Sequence, residues 1–275
     1  MKKAFSTVAC MEADYHQVID YALQTGQNGI EIRMDDNGYL FGLNREEIPA
    51  MVDEMHKNNL EIVDIGTSIC VGRYQSELIV KAVECLKLAN MVGAKGIRIF
   101  PGSWYDKVNH CYSAADQDGM VRFFKELCEH AKQWNVEVWI ETHNDYSEGK
   151  ILKELLDAVD APNLKIIWDI IHPIECGETP EETIAYLGNR IAHVHIKDGQ
   201  YNQNDNSVEY RYTKPGEGTL PLKEILELLY KIGYDGYCSV EWESVWRKEI
   251  ADIYDNVVAM LEDFSKWMKI GDFDV

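Results

Sequence analysis

Short runs rich in β-branched and aromatic residues alternate along the chain with longer amphipathic stretches. The short runs fall at 4–9, 29–33, 60–66, 94–100, 136–142, 164–170, 191–197 and 237–243, and their lengths are those of strands. Between them lie stretches such as Tyr15 to Leu23, Leu78 to Val92, Val121 to Trp134, Ile151 to Val159 and Leu222 to Ile232. In these, apolar residues recur every three or four positions, the repeat of a helix with one buried face. Eight strand-then-helix units in 275 residues predict an α/β fold, a (β/α)8 TIM barrel, covering 1–275 as a single domain. No Pro/Ser/Gly-rich linker interrupts the alternation, and no close repeat marks a solenoid.

Parity within the runs sorts side chains by face, because successive residues of a strand point to opposite sides. One set is apolar and is expected to face the helices: Ile30 and Ile32; Ile97 and Ile99; Val136, Val138 and Ile140; Ile166 and Trp168; Ala192, Val194 and Ile196; Cys238 and Val240. The other set contains Glu31, Arg98, Glu141, Asp169, His195 and Glu241, which are then expected to point into the barrel. Charges in such a place are costly unless paired or bound to a metal.

Four of these inward residues end four successive strands: Glu141 in Val-Trp-Ile-Glu, Asp169 in Ile-Ile-Trp-Asp, His195 in His-Val-His-Ile-Lys-Asp, and Glu241 in Ser-Val-Glu-Trp. Strand ends of a parallel barrel converge on one mouth, so the four can surround one ion. Three carboxylates and an imidazole suit Mn²⁺, Mg²⁺ or Co²⁺, with Zn²⁺ also compatible, and leave coordination positions open. The competing reading makes them interior polar residues paired with Arg98 or Lys165. Three anionic ligands around a dication leave a charge near −1, which favours a neutral polyol or keto sugar chelating through two oxygens.

Candidates for substrate contact are His172, three residues past Asp169; His143, two past Glu141; Trp104, just after the fourth strand; Glu31 and Arg98, which equally fit a salt bridge across the barrel; and Glu217 in Pro215-Gly-Glu-Gly218. His193 has the parity of His195 but lies deeper, as a structural histidine would. Tyr105, Trp242 and Trp246 fit either stacking on a sugar face or packing under loops. No P-loop, dinucleotide fingerprint or G-x-S-x-G motif is present.

Composition narrows the partners. With 47 acidic against 27 basic residues, the formal charge of −20 opposes binding to nucleic acid or an anionic membrane. Seven scattered cysteines without C-x-x-C spacing read as reduced thiols, mostly in the core of a cytoplasmic protein. The start Met-Lys-Lys-Ala-Phe-Ser-Thr-Val-Ala-Cys imitates a signal peptide, but its apolar run is short and acidic residues follow at once, so it reads as the first strand. Phe264 and Trp267 suit a homo-oligomer contact or packing against the barrel.

The chain resembles the xylose-isomerase-like barrel superfamily, which includes ketose 3-epimerases, hydroxypyruvate isomerase, inosose dehydratase and the type IV endonucleases. The resemblance rests on Gly29-Ile-Glu-Ile, Ile140-Glu-Thr-His, Trp168-Asp-Ile-Ile-His172, His193-Val-His-Ile-Lys-Asp198, Pro215-Gly-Glu-Gly218 and Val240-Glu-Trp-Glu, and spans nearly the whole chain. It implies that Glu141, Asp169, His195 and Glu241 are the metal quartet of the epimerase branch, that Glu141 and Glu241 are also its acid/base pair, and that His172 touches substrate. The branch's substrate-binding arginine after the strand 7 histidine has no counterpart. Lys197-Asp-Gly199 leads instead into a polar loop, Tyr201 to Tyr212. The endonuclease's extra metal histidines are replaced by Gly66-Thr-Ser-Ile-Cys and Phe100-Pro-Gly-Ser, which excludes that activity.

The expected function is therefore a metal-dependent isomerase or epimerase of a small sugar or polyol-derived substrate, acting by proton transfer next to a carbonyl through an enediolate. A dehydratase of the inosose or dehydroshikimate type is the alternative enzyme, and a non-catalytic metabolite-binding barrel the alternative class.

Overall fold

The computed structural model describes residues 1–103, 105–106, 111–112, 115–201 and 210–268; Trp104 lies outside them. Eight parallel strands close into a barrel: β1 (Lys2–Ser6), β2 (Gly29–Arg33), β3 (Glu61–Val71), β4 (Gly96–Pro101), β5 (Glu137–Glu141), β6 (Leu164–Asp169), β7 (Ile191–Ile196) and β8 (Tyr237–Val240). Each pairs with its sequence neighbours, and β1 pairs with β8 to complete the ring. The surrounding helices are α1 (Tyr15–Thr25), α2 (Ile48–Lys57), α3 (Ser76–Val92), α4 (Gln117–Trp134), α5 (Gly149–Val159), α6 (Ile171–Glu175), α7 (Pro180–Leu187), α8 (Leu222–Lys231) and α9 (Val257–Trp267).

Local signals start and stop these helices. Asp14 and Gln17 form a reciprocal capping box at the head of α1, and Gly26 ends it in the left-handed conformation. Thr179 and Glu182 do the same for α7, where Pro180 occupies the first turn. Such caps satisfy amide groups that have no partner inside the helix. The first strand is shorter than its apolar run: it stops at Ser6, and Thr7–Cys10 form a 3₁₀ turn headed by the Ser6 hydroxyl, which accepts from Val8 N. The run continues into a turn whose first side chains, Thr7 and Val8, are still buried, so the run 4–9 overstated the strand. No helix among the described residues is long and apolar enough to cross a membrane.

Parity sorted the faces correctly wherever the register is regular. The apolar set from Ile30 to Val240 packs with the helices in the main core, except at Ala192. Ile166 of β6 pairs with Ile191 and Ile167 with His193, so β7 carries one extra residue there. This bulge lets Ile191 pack outward while Ala192 packs against the interior cluster. A second register shift lies between β2 and β3, where Ile30 pairs with Ile62 but Ile32 with Ile65. It brings the fully buried carboxyl of Asp64 in on a strand whose alternation gives no clear inward set.

The barrel interior has two layers. Its floor is a closed apolar cluster of Ala4, Val63, Trp139, Ile167 and Tyr237. The two large rings fit because neighbouring strands lack a side chain at the contact: a Cβ at Gly96 would lie 2.5 Å from Trp139, and one at Gly29 2.5 Å from Tyr237. Above this floor the interior is polar, with Ser6, Glu31, Asp64, Arg98, Glu141, Asp169, His193, His195, Ser239 and Glu241 all buried. On the outside, Phe264 of α9 is fully buried and packs edge-on against Trp242, and Trp267 is partly buried against the core. Phe264 thus packs under the barrel's outer layer, and Trp267 does so in part.

Candidate active site

The four strand-end residues converge. Glu141 closes β5, Asp169 closes β6, His195 is next to last in β7, and Glu241 follows β8 directly. One ligand atom of each lies within 4.8 Å of those of the other three, and all four residues are buried. Two further groups meet the same distance limit, Glu31 with His193 and His195, and Glu141 with His143 and His172.

His195 stands at the centre. Its Nε2 lies 2.8 Å from Glu31 Oε2, so a proton on that nitrogen donates to the carboxylate. Its Nδ1 lies 3.2 Å from Glu241 Oε2, 3.5 Å from Glu141 Oε1 and 3.9 Å from Asp169 Oδ2 and makes no hydrogen bond. Burial pushes this imidazole's pKa down, but Glu241, Glu31 and Glu141 together hold it well above its ordinary value. Glu241, Glu141 and Asp169 around Nδ1 thus favour positive charge there, whether a proton or a metal ion. Glu141 Oε2 and Asp169 Oδ2 are likewise buried without a hydrogen bond.

The charge balance fits a dication. Arg98 Nη1 lies 3.1 Å from Glu141 Oε2, 3.2 Å from Glu241 Oε1 and 3.7 Å from Glu31 Oε1. Lys197 Nζ lies 2.6 Å from both Asp169 Oδ2 and Glu241 Oε2; toward Asp169 this is an ion-pair distance without hydrogen-bond angles. Burial raises the carboxyl pKa of Glu141, but Arg98 brings it below the usual range; burial also opposes ionisation of Glu241, but His195 and Lys197 hold it well below. Asp64 goes the other way: burial, then Glu31, push it well above the carboxylate range, which favours its neutral form. Four carboxylates (Glu31, Glu141, Asp169, Glu241) against Arg98 and Lys197 leave two negative charges, which one divalent ion beside a neutral His195 would cancel. Oxygen-rich donors with one nitrogen also match the hard divalent metals. Lys197, not Lys165, joins Arg98 as counter-ion, and the site with its ion is nearer neutral than the −1 that the four ligands alone imply.

A cavity of about 920 Å³ opens above this cluster. Of the quartet, Glu141 and Glu241 line it and Asp169 and His195 do not. Arg98, His143 and His172 also line it. The His143 and His172 rings meet edge to face at 4.6 Å; His143 Nδ1 lies 2.7 Å from Asn144 Oδ1, and His172 Nδ1 lies 3.1 Å from Glu175 Oε2. Burial, then His172, lower the pKa of His143. Burial also acts to lower that of His172, but Asp169 and Glu175 outweigh it and raise it.

Two expected substrate contacts are placed elsewhere. Glu31 is fully buried beneath His195 and does not line the cavity, because strand β2 carries it inward below the mouth. Glu217 is exposed in its turn, away from the cavity lining. That turn is held by Asp198, whose carboxylate accepts from the amides of Gly199 (2.7 Å), Gly216 (2.7 Å) and Gly218 (3.1 Å). A Cβ at Gly218 would strike Asp198 Oδ1 and lie 2.5 Å from Gly199 O, so the glycines serve this clamp. Trp242 is buried against Tyr212 and Tyr254, whereas Trp246 lines the cavity rim.

Sequence reasoning missed Lys197, Arg33 and Arg247. Lys197 continues the parity of His193 and His195 one step beyond the strand, and Arg33 that of Glu31; both signals were available. Arg33 and Arg247 line the cavity together with Glu175 and Glu243. Arg247 follows β8 in an irregular segment, where no periodicity indicates direction.

A model of the xylose isomerase-like TIM barrel family matches residues 19–264. The chain belongs to that family. It is 27% identical to the 3-dehydroshikimate dehydratase of Bacillus anthracis over 247 residues, 83% of this chain and 85% of the relative. It is 30% identical to the fructoselysine 3-epimerase of Escherichia coli O157:H7 over 129 residues, and here the match spans less than half, 45%, of each chain. Among solved structures, the IOLI protein with a bound zinc atom superposes with a TM-score of 0.79 at 18% identity, covering 99% of this chain and 100% of that one. The family's relatives thus include both epimerases and dehydratases.

Proposed function

We propose that this family member catalyses metal-dependent proton transfer at a carbon next to a carbonyl in a small polyhydroxylated substrate, giving isomerisation or epimerisation. The observation that carries the reading is the division of the quartet: Glu141 and Glu241 alone reach the cavity, with Asp169 and His195 behind them. Glu141, Asp169, His195 and Glu241 would hold the ion. When bound, the ion supplies Lewis-acid charge to the substrate's carbonyl oxygen and so stabilises the developing enediolate.

The chain's own groups complete the chemistry. Glu141 and Glu241, both held ionised, come from different strands and are bridged by Arg98 Nη1. In epimerisation one takes the α-proton and keeps it, while the other, having picked up a proton from solvent, delivers that second proton to the carbon's opposite face; each then re-equilibrates with solvent. Arg98 keeps each carboxylate aimed and offers its guanidinium to a substrate oxygen at the cavity wall. His143 and His172, each held through Nδ1 by a neighbour, present a polar wall to hydroxyl groups.

A second reading, loss of a β-hydroxyl to give an enone, is favoured by the breadth of the match to the dehydratase, 83% of this chain against 45% for the epimerase. One experiment addresses both. Protein loaded with Mn²⁺, Co²⁺ or Zn²⁺ is incubated in D₂O with ketoses, inososes, dehydroshikimate and simple hydroxyketones. Deuterium at the α-carbon of an epimerised or isomerised product is the expected result. Loss of water with growth of enone absorbance, or of aromatic absorbance from dehydroshikimate, would identify the dehydratase, and absence of exchange with every substrate and metal would sink both.

A further inference from the structure

We infer that Glu31 is the positioning residue that makes His195 a metal ligand, an inference that rests on the metal-dependent reading above. The Glu31 carboxylate is fully buried and ringed by donors. His195 Nε2 lies 2.8 Å and His193 Nε2 3.1 Å from the same oxygen, Oε2. Ser6 Oγ donates to Oε1 at 2.9 Å, and Ser239 Oγ lies 3.5 Å from Oε2. Strand register builds this arrangement: Ser6 pairs with Glu31 across β1 and β2, and Ser239 with His195 across β8 and β7.

A neutral imidazole carries one proton, and the proton goes to the nitrogen that faces the better acceptor. Glu31 holds it on Nε2, which turns the Nδ1 lone pair toward Glu141, Asp169 and Glu241. Without that carboxylate, the three other carboxylates favour the opposite tautomer, with N–H on Nδ1 and no lone pair for an ion. A carboxylate behind a ligating imidazole also raises the ring's donor strength. Glutamine cannot substitute faithfully. Its oxygen would have to face two ring N–H groups while its NH₂ faced the Ser6 hydroxyl and lay near Arg98, itself a donor.

The test measures Co²⁺ affinity by chelator competition, together with proton NMR of the Co²⁺-loaded full-length protein in H₂O and D₂O. The parent should show one strongly shifted, exchangeable imidazole N–H signal. Glu31→Gln should keep the far-UV spectrum of a folded barrel, bind Co²⁺ about 10–100-fold more weakly, and shift or lose that signal. Ser6→Ala keeps the carboxylate but loosens it, and should weaken binding in the same direction by less. A folded Glu31→Gln protein with parental affinity and an unmoved N–H signal would overturn the inference. If Glu31→Gln does not fold, Ser6→Ala decides: weaker binding supports the role of Glu31, and unchanged binding with an unmoved signal refutes it. Glu141→Gln separates this inference from the one beneath it. If the parent binds no Co²⁺, or Glu141→Gln binds it fully, the metal reading itself fails. If Glu141→Gln loses the ion and Glu31→Gln does not, only the role of Glu31 fails.

Discussion

The two layers of the barrel interior are stacked inside the same ring of strands and point the same way, yet they do opposite things. The floor, Ala4, Val63, Trp139, Ile167 and Tyr237, removes apolar surface from water and needs no partner beyond shape. The layer above it gathers Glu31, Arg98, Glu141, Asp169, His195, Lys197 and Glu241 at ion-pair distances. Desolvating so many charges costs several kcal/mol per ion before pairing recovers part of it. A barrel seeking stability alone would extend the floor upward. On the proposed function, the upper layer is where stability is given up for chemistry, and the boundary between the layers marks how deep the reactive region would reach.

The largest expected effect follows directly. Glu141→Gln and Glu241→Gln should each lower the rate of solvent-deuterium exchange by about 10²–10⁴-fold, the range of a lost acid/base group, at temperatures where the variants are fully folded; each also strips a buried cation of a partner and should lower the apo protein's melting temperature. Ile167→Ala, one layer down, should cost about 2–5 kcal/mol of stability and leave kcat at 25 °C near the parental value. Thermal melts and exchange kinetics on the three variants check both halves. A crossed result, with Ile167→Ala inactive but stable or folded Glu241→Gln exchanging deuterium at the parental rate, would erase the distinction between the layers.

The same division shows what the sequence could reveal. Eight strands and the direction of most of their side chains were legible, because apolar spacing changes from two to three or four at each element and the barrel's register is largely regular. The four convergent residues were legible for the same reason, as parity and strand ends selected them together. Parity gives direction but not depth. Glu31 is turned inward as alternation predicts, and of its two readings the salt bridge to Arg98 is the one present; alternation cannot say that it stops beneath His195. Where register shifts, parity fails: Ala192 and Asp64 sit beside bulges, and a bulge leaves no mark in a pattern of period two. Lys197 was readable, being in step with His193 and His195. It was passed over as the start of a loop.

A smaller effect sharpens the boundary from the outside. Asp198 is buried like the charged layer but belongs to neither: its carboxylate serves the amides of Gly199, Gly216 and Gly218. Gly218→Ala pushes a methyl group into that carboxylate and into Gly199 O, and should destabilise the protein by about 1–3 kcal/mol, the usual cost of overpacking. Any loss of activity should then appear near the melting transition and vanish at lower temperature. A large loss of kcat at full stability would instead bring the clamp into the reactive layer.

The smallest expected effect concerns Glu217, which shares a residue type with Glu241 and little else. Glu241 is held ionised by His195, Lys197 and Arg98 within a buried cluster and reaches the cavity. Glu217 is exposed in the turn that Asp198 ties down. Surface substitutions of this kind usually change stability by no more than about 0.5 kcal/mol. Glu217→Gln should accordingly leave both the melting temperature and kcat/KM for deuterium exchange at parental values, whereas the same change at Glu241 should lower the exchange rate by the roughly 10²–10⁴-fold expected of a lost acid/base group. The pair tests position against chemistry, because the atoms altered are identical. A clear rise in KM for Glu217→Gln would show that the turn reaches bound substrate, and would extend the reactive layer beyond the rim of the barrel.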